Sequence, residues 1–217
     1  MRKVKLVMIG LATAILLGGC SFGGKNNDNN DNIDTSNKTT ESSSKKVVAV
    51  KDEPLTNFES IKGKVWMLDK QYAGSAVASF DDVNWKDGQE GLSLTFLSNT
   101  EGFIGKYENN KLLYGRTVEI LKPNKYDFVT FNHVSFVASQ DYVNKLTDAD
   151  QKESFIALNS NEVPGSTSGV NYLQSNEFKK DSYKAELYRF YKTKNGDLIR
   201  QNPTKNGKVY YSLYKIK

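Results

Sequence analysis

The chain has 217 residues, with 30 Lys and Arg against 25 Asp and Glu, for a formal charge of +5. One cysteine and one histidine leave no intramolecular disulfide framework and no multi-thiolate or multi-histidine metal site. No Lys/Arg run is longer than two residues, so nucleic-acid binding, which rests on clustered positive charge, lacks an electrostatic footing.

Arg2, Lys3 and Lys5 make a cationic start, and Leu6 to Gly19 carries no charge. That run is shorter than the about 20 apolar residues of a membrane-crossing helix. It has the length of a signal-peptide apolar region behind a positive start. Leu17, Gly18 and Gly19 then precede Cys20. The stretch resembles the bacterial lipobox, in which a leucine and two small residues stand ahead of a cysteine. The resemblance implies that residues 1–19 are an export signal and that Cys20 is acylated and becomes the first residue of the mature chain. It implies a protein held by lipid on the extracellular face of a cell membrane, in a Gram-positive type of envelope. A single acyl chain binds a bilayer only marginally, so the cysteine would carry more than one. Loss of Arg2, Lys3 and Lys5 with the signal would leave a nearly neutral chain without a free thiol.

Residues 20–50 read as the lipidated cysteine and a disordered tether. Asn, Asp, Ser, Thr, Lys and Gly dominate from Ser21 to Lys46, and only Phe22 and Ile33 are large and apolar there. Such a segment cannot bury enough surface to offset the entropy of ordering it. As a flexible coil it would span about 25–30 Å. Asp28, Asn30 and Asn32 have the opening spacing of a calcium loop. The required glycine and glutamate are replaced by Ile33 and Thr39, so calcium binding is not expected.

Residues 51–217 read as one β-rich globular domain, large enough for its own core. Gly63 to Tyr72 is the first expected strand, and Leu92 to Phe96 alternates in the manner of a half-buried one. Asn84 to Gly88 between them reads as a turn. Gly102 to Glu108 and Lys111 to Leu121 flank Asn109-Asn110, a hairpin signal because asparagine tolerates positive φ. Tyr126 to Ala138 is a further strand. Tyr142, Val143 and Leu146 suggest a turn of helix, continued by a helix from Asp148 to Leu158 behind the cap-like Thr147; Asn159 to Val170 reads as a polar loop. Tyr183 to Thr193, Leu198 to Gln201 and Lys208 to Ile216 complete the set, joined by turns at 194–197 and at Asn206-Gly207.

The expected fold is therefore mostly β, a single antiparallel barrel or sandwich with one helical segment near 139–158. Gly63 and Trp66, near the base of the first strand, resemble the opening of a lipocalin-like barrel, with two residues between them instead of one. The resemblance implies that Trp66 would close one end of the barrel. The plainer reading makes it an ordinary core residue.

Candidate chemistry is sparse. His133 lies among Phe131, Val134 and Phe136 in a strand and lacks a second histidine, so it reads as structural. Gly165-Ser166-Thr167-Ser168-Gly169 falls short of a nucleophile elbow, because threonine occupies the serine position and no parallel sheet is expected. Ser212 and Lys215 would face opposite sides of a strand. Asp81, Asp82, Asp148, Asp150 and Glu177 are acid/base candidates by type only, which keeps a cryptic hydrolase as a remote alternative. No catalytic residue, metal or cofactor is assigned.

The remaining signal is aromatic. Tyr183, Tyr188, Phe190, Tyr191, Tyr210, Tyr211 and Tyr214 crowd the last strands, and alternation puts some on each face. Trp66, Tyr188, Phe190 and Tyr211 are the tentative ligand-binding residues, against a reading of them as core and cross-strand pairs. The leading expectation is a non-enzymatic surface lipoprotein that binds a small apolar molecule or a cell-envelope component. The alternative is an envelope protein that interacts with other proteins or protects against stress, without a small ligand.

Overall fold

The computed structural model describes residues 52–146, 155–177 and 185–217. The proposed signal, Cys20 and the tether lie outside them. So do Thr147, Asp148, Asp150 and Tyr183.

Eleven strands are described: β1 (Val65–Gly74), β2 (Lys86–Asp87), β3 (Leu92–Phe96), β4 (Glu101–Glu108), β5 (Lys111–Leu121), β6 (Val129–Ser139), β7 (Ile156–Leu158), β8 (Tyr172–Ser175), β9 (Glu186–Lys192), β10 (Leu198–Lys205) and β11 (Lys208–Ile216). One short helix, α1 (Gln140–Asn144), follows β6 and is capped by the Ser139 hydroxyl, which accepts from the Tyr142 N–H. Eight antiparallel strands close on themselves in the order β1-β3-β4-β5-β6-β9-β10-β11, with β11 returning to β1. Each barrel strand pairs with the next one along the chain, an up-and-down meander that leaves the barrel no free edge. Strands β7 and β8 extend from the upper part of β6, and β2 pairs with β1.

The hairpin between β4 and β5 turns at Asn109 and Asn110, whose φ values are 49° and 61°. Asn206 and Gly207, at 52° and 71°, make the same kind of turn between β10 and β11. Two successive left-handed residues match the right-handed twist of the strands they join, which is why these Asn-rich pairs mark hairpins in the sequence.

A single apolar cluster receives side chains from all eight barrel strands and is the interior. It holds Trp66, Leu68, Leu94, Phe96, Val118, Ile120, Val129, Phe131, Tyr188, Phe190, Leu198 and Tyr214, with Ile104 packed against it. Phe58 and Ile61, from the 3₁₀ turn Glu59–Ile61, stopper this end. Three bonds fix the stopper: Leu55 N–H to the Phe190 carbonyl at 2.7 Å, Phe58 N–H to Asn99 Oδ1 at 2.7 Å, and Gly63 N–H to the Phe96 carbonyl at 2.9 Å.

The opposite faces of the strands carry two external pads. Tyr191, Ile199, Val209 and Tyr211 are covered by Phe80 and Val83. Phe103, Tyr107, Leu112 and Val137 are covered by Val163 and Tyr172. The second pad needs glycine beneath it, since a Cβ on Gly115 would lie 2.2 Å from the Phe103 ring.

Three expectations change. Ile156–Leu158 is a strand pairing with β8, not the end of a helix, so the described helix is confined to Gln140–Asn144. The β-branched and apolar Ile156-Ala157-Leu158 meets a ready strand edge at β8, and pairing there overrides helix propensity. Lys86–Asp87, within the expected turn, pairs with Lys70 and Gln71 of β1. The loop at 159–170 is not merely polar, because Val163 and Val170 pack against the second pad.

Candidate functional site

The barrel interior divides along its axis. Its floor is solid aromatic packing. Phe190 stands 5.2 Å from Phe96 and 5.7 Å from both Phe58 and Phe131, ring centre to ring centre. Trp66 is fully buried and donates its indole N–H to the Ile61 carbonyl at 3.3 Å, beneath the 3₁₀ stopper. Each such ring contributes about 2–3 kcal/mol by burial.

Towards the mouth the same inward register turns polar. Register and the β-bulges between Leu68 and Lys70 on β1 and at Val134 on β6 carry Gln71, Lys106, Arg116, His133, Glu186, Arg200 and Ser212 to the inward face. An extra residue in one strand re-aims all those beyond it. One wall of the mouth remains apolar, where α1 sets Tyr142 and Val143 against Tyr114, Phe136 and Ala138.

Four adjacent strands carry a polar ladder. Glu186 of β9 accepts a hydrogen bond from the Tyr188 hydroxyl at 2.5 Å, and its Oε2 lies 3.7 Å from His133 Nε2 of β6. Arg200 of β10 lies over the rings of Tyr188, at 4.6 Å, and Tyr214 of β11, at 5.6 Å. Its Nη2 donates to Ser212 Oγ at 3.4 Å. Burial pushes the Glu186 carboxyl up, but His133, the Tyr188 hydroxyl and the Arg200 charge outweigh burial and hold it below the ordinary range. Burial pushes the Tyr188 and Tyr214 phenols well above theirs, so both stay neutral. Beside the ladder, a cavity of about 100 Å³ is lined by Arg116, His133, Ser135, Phe136, Ser175 and Asn176. Drug-sized ligands occupy about 300–1,000 Å³, so it suits a head group or waters.

The structure brings three of the four sequence-chosen aromatics together. Trp66, Tyr188 and Phe190 share the interior, whereas Tyr211 faces outward and packs under Phe80 with ring centres 5.2 Å apart. All four are at most 2% exposed. The chain matches no family model, no curated protein and no solved structure. What bears on function is therefore its own geometry.

The other candidates scatter. Asp81 and Asp82 are exposed on the 3₁₀ turn Phe80–Asp82, and Glu177 is exposed beyond β8. Thr167 is a loop pin: its hydroxyl accepts from the Leu112 N–H at 3.2 Å, and its own N–H donates to the Tyr172 hydroxyl at 3.0 Å. Ser212 points inward, while the exposed Lys215 pairs with Asp69 at 3.0 Å. Among the described residues, no group of three His, Cys, Asp or Glu is placed to hold a metal ion, and no helix is long and apolar enough to cross a membrane.

Glu186, Arg200 and Arg116 escape a reading by residue type, because each stands alone in a β-rich stretch. The available signal was alternation. In Glu186-Leu187-Tyr188-Arg189-Phe190, the glutamate shares the parity of two core aromatics.

Proposed function

We propose that this chain is a lipid-anchored envelope protein whose lipocalin-like barrel binds a ligand or envelope component at its mouth and catalyses no reaction. The observation that carries the binding reading is the divided interior: a floor filled by the protein's own rings beneath a polar, partly exposed mouth. A floor so filled favours an envelope component with a polar head over a wholly apolar guest. The lipocalin-like description rests on the eight-strand meander and on Trp66 beneath the 3₁₀ stopper, beside the floor. The anchor rests on Leu17, Gly18, Gly19 and Cys20.

Native mass spectrometry of the full chain after exposure to envelope extract tests the binding reading. A small molecule retained by the barrel is expected, and a barrel that stays bare after every fraction overturns it. Cys20→Ala tests the anchor: the protein should leave the membrane fraction and lose its acyl mass, and unchanged membrane retention would defeat the assignment.

A second reading, docking of another envelope protein, has one specific support. Leu121, Thr130 and Leu187 form a cross-strand row on the outside of β5, β6 and β9, with the two leucines 42% and 38% exposed. Leu121→Asp with Leu187→Asp should abolish any cross-linked partner if that row is the contact.

A further inference from the structure

Arg200 is a cation inside the barrel without a contact ion pair. Among the described residues no carboxylate oxygen lies within 4.0 Å of its nitrogens. Its Nε is buried and has no hydrogen-bond partner, and the bond from Nη2 to Ser212 is long at 3.4 Å. Leaving a buried charged donor unsatisfied is costly, and guanidinium remains protonated in proteins, so the site cannot relieve itself by losing charge.

The surroundings do not supply the missing partner. Tyr188 and Tyr214 offer ring faces to the guanidinium, which leaves its N–H edge for a ligand. Glu186, the inward carboxylate of β9, is engaged by the Tyr188 hydroxyl and by His133, and Glu108, at the inward parity of β4, lies exposed at the end of its strand. Lys106, also inward on β4, donates to the Glu90 carbonyl and adds positive field without neutralising any. Arg200, Gln71 and Asn202 are partly exposed, so solvent reaches this part of the lumen.

We propose that the barrel mouth binds a small oxyanion, a carboxylate or a phosphate, on the N–H edge of Arg200. The planar fork of arginine matches the paired oxygens of these groups. The inference rests on the ligand-binding reading above and gives it a chemical class. An oxyanion on Arg200 would be the head of a bound envelope component or a free ion.

The test is a titration of the full chain, labelled with ¹⁵N, with four probes at constant ionic strength: inorganic phosphate, acetate, decanoate and decanol. The Arg200 Nε–H resonance should shift saturably with at least one anion. Arg200→Lys, which keeps the charge and loses the fork, should weaken binding about tenfold. Response to phosphate alone assigns a phosphorylated head, and response to acetate and decanoate assigns a carboxylate. Absence of any saturable anion shift, or equal affinity in a folded Arg200→Lys, overturns the proposal. Should Arg200→Lys not fold, the wild-type Nε–H shift, identified by its perturbation in Ser212→Ala, decides alone. If decanol moves mouth amides and no anion does, the oxyanion inference fails while the binding reading stands; if none of the four binds, the oxyanion inference fails and the envelope-extract experiment decides the binding reading.

Discussion

The floor and the mouth of the barrel are lined by the same strands, yet they use inward positions for opposite ends. On β9, Phe190 and Tyr188 sit in the core, and two residues further up Glu186 faces the polar lumen. On β10, Leu198 belongs to the floor and Arg200 to the mouth. Folding alone would favour continuing the apolar register, because a buried charge costs more than a buried ring contributes. The floor therefore stabilises a mouth whose polar groups contribute less than apolar ones would, an arrangement that fits a binding surface carried on a rigid base.

The hardest blow to this comparison is to empty the floor. Phe190→Ala removes a fully buried ring that touches Phe58, Phe96 and Phe131. It should cost about 3–5 kcal/mol in urea unfolding, near the whole stability of many domains. A loss below about 1 kcal/mol would mean that the floor collapses freely around the gap and is not the rigid base described here.

At the mouth the effects should be smaller and should depend on pH. Glu186→Gln keeps the shape and removes the charge that faces Tyr188, His133 and Arg200, for a loss of about 1–3 kcal/mol at neutral pH. The carboxyl titrates below its ordinary value of 4.5 in the folded chain. Its stabilisation is therefore fully present above that value and is lost as pH falls through the lower folded-state value. Wild type and Glu186→Gln should converge in stability in that acid window; a constant gap at all pH values would remove the charge from the explanation. Tyr188→Phe keeps the ring in the core and deletes the hydroxyl that donates to Glu186. It should cost about 1–2 kcal/mol and raise the Glu186 titration, readable by carboxyl NMR.

The two halves were not equally legible. Floor strands announce themselves by alternation and aromatic content, and β3, β5 and β11 run as expected over Leu92–Phe96, Lys111–Leu121 and Lys208–Ile216. Asn109-Asn110 and Asn206-Gly207 mark the hairpins because few other pairs accept two positive φ values. The mouth depends on bulges, and a bulge has no sequence signature. The one at Val134 decides that His133 and Phe136, three apart, both face inward, which strict alternation forbids. The strand Ile156–Leu158 was equally hidden, since its pairing partner at Tyr172–Ser175 is defined by a contact remote from local propensity. Tyr211 looked equivalent to Tyr188 because composition does not separate the inside of a barrel from a covered outside.

The smallest expected effect concerns neither half but the pad that braces them from outside. Thr167, central in the glycine-flanked run that resembled a nucleophile elbow, ties the loop to β5 through the Leu112 N–H. Thr167→Ala should cost about 0.5–1.5 kcal/mol, the worth of one partly buried neutral hydrogen bond. It should leave ligand affinity at the mouth unchanged, because Leu112 packs in the outer pad and faces away from the lumen. Unchanged stability with altered binding would instead mean that the pad shapes the mouth directly. The contrast would then lie between two coupled faces of one sheet, not between two levels of one barrel.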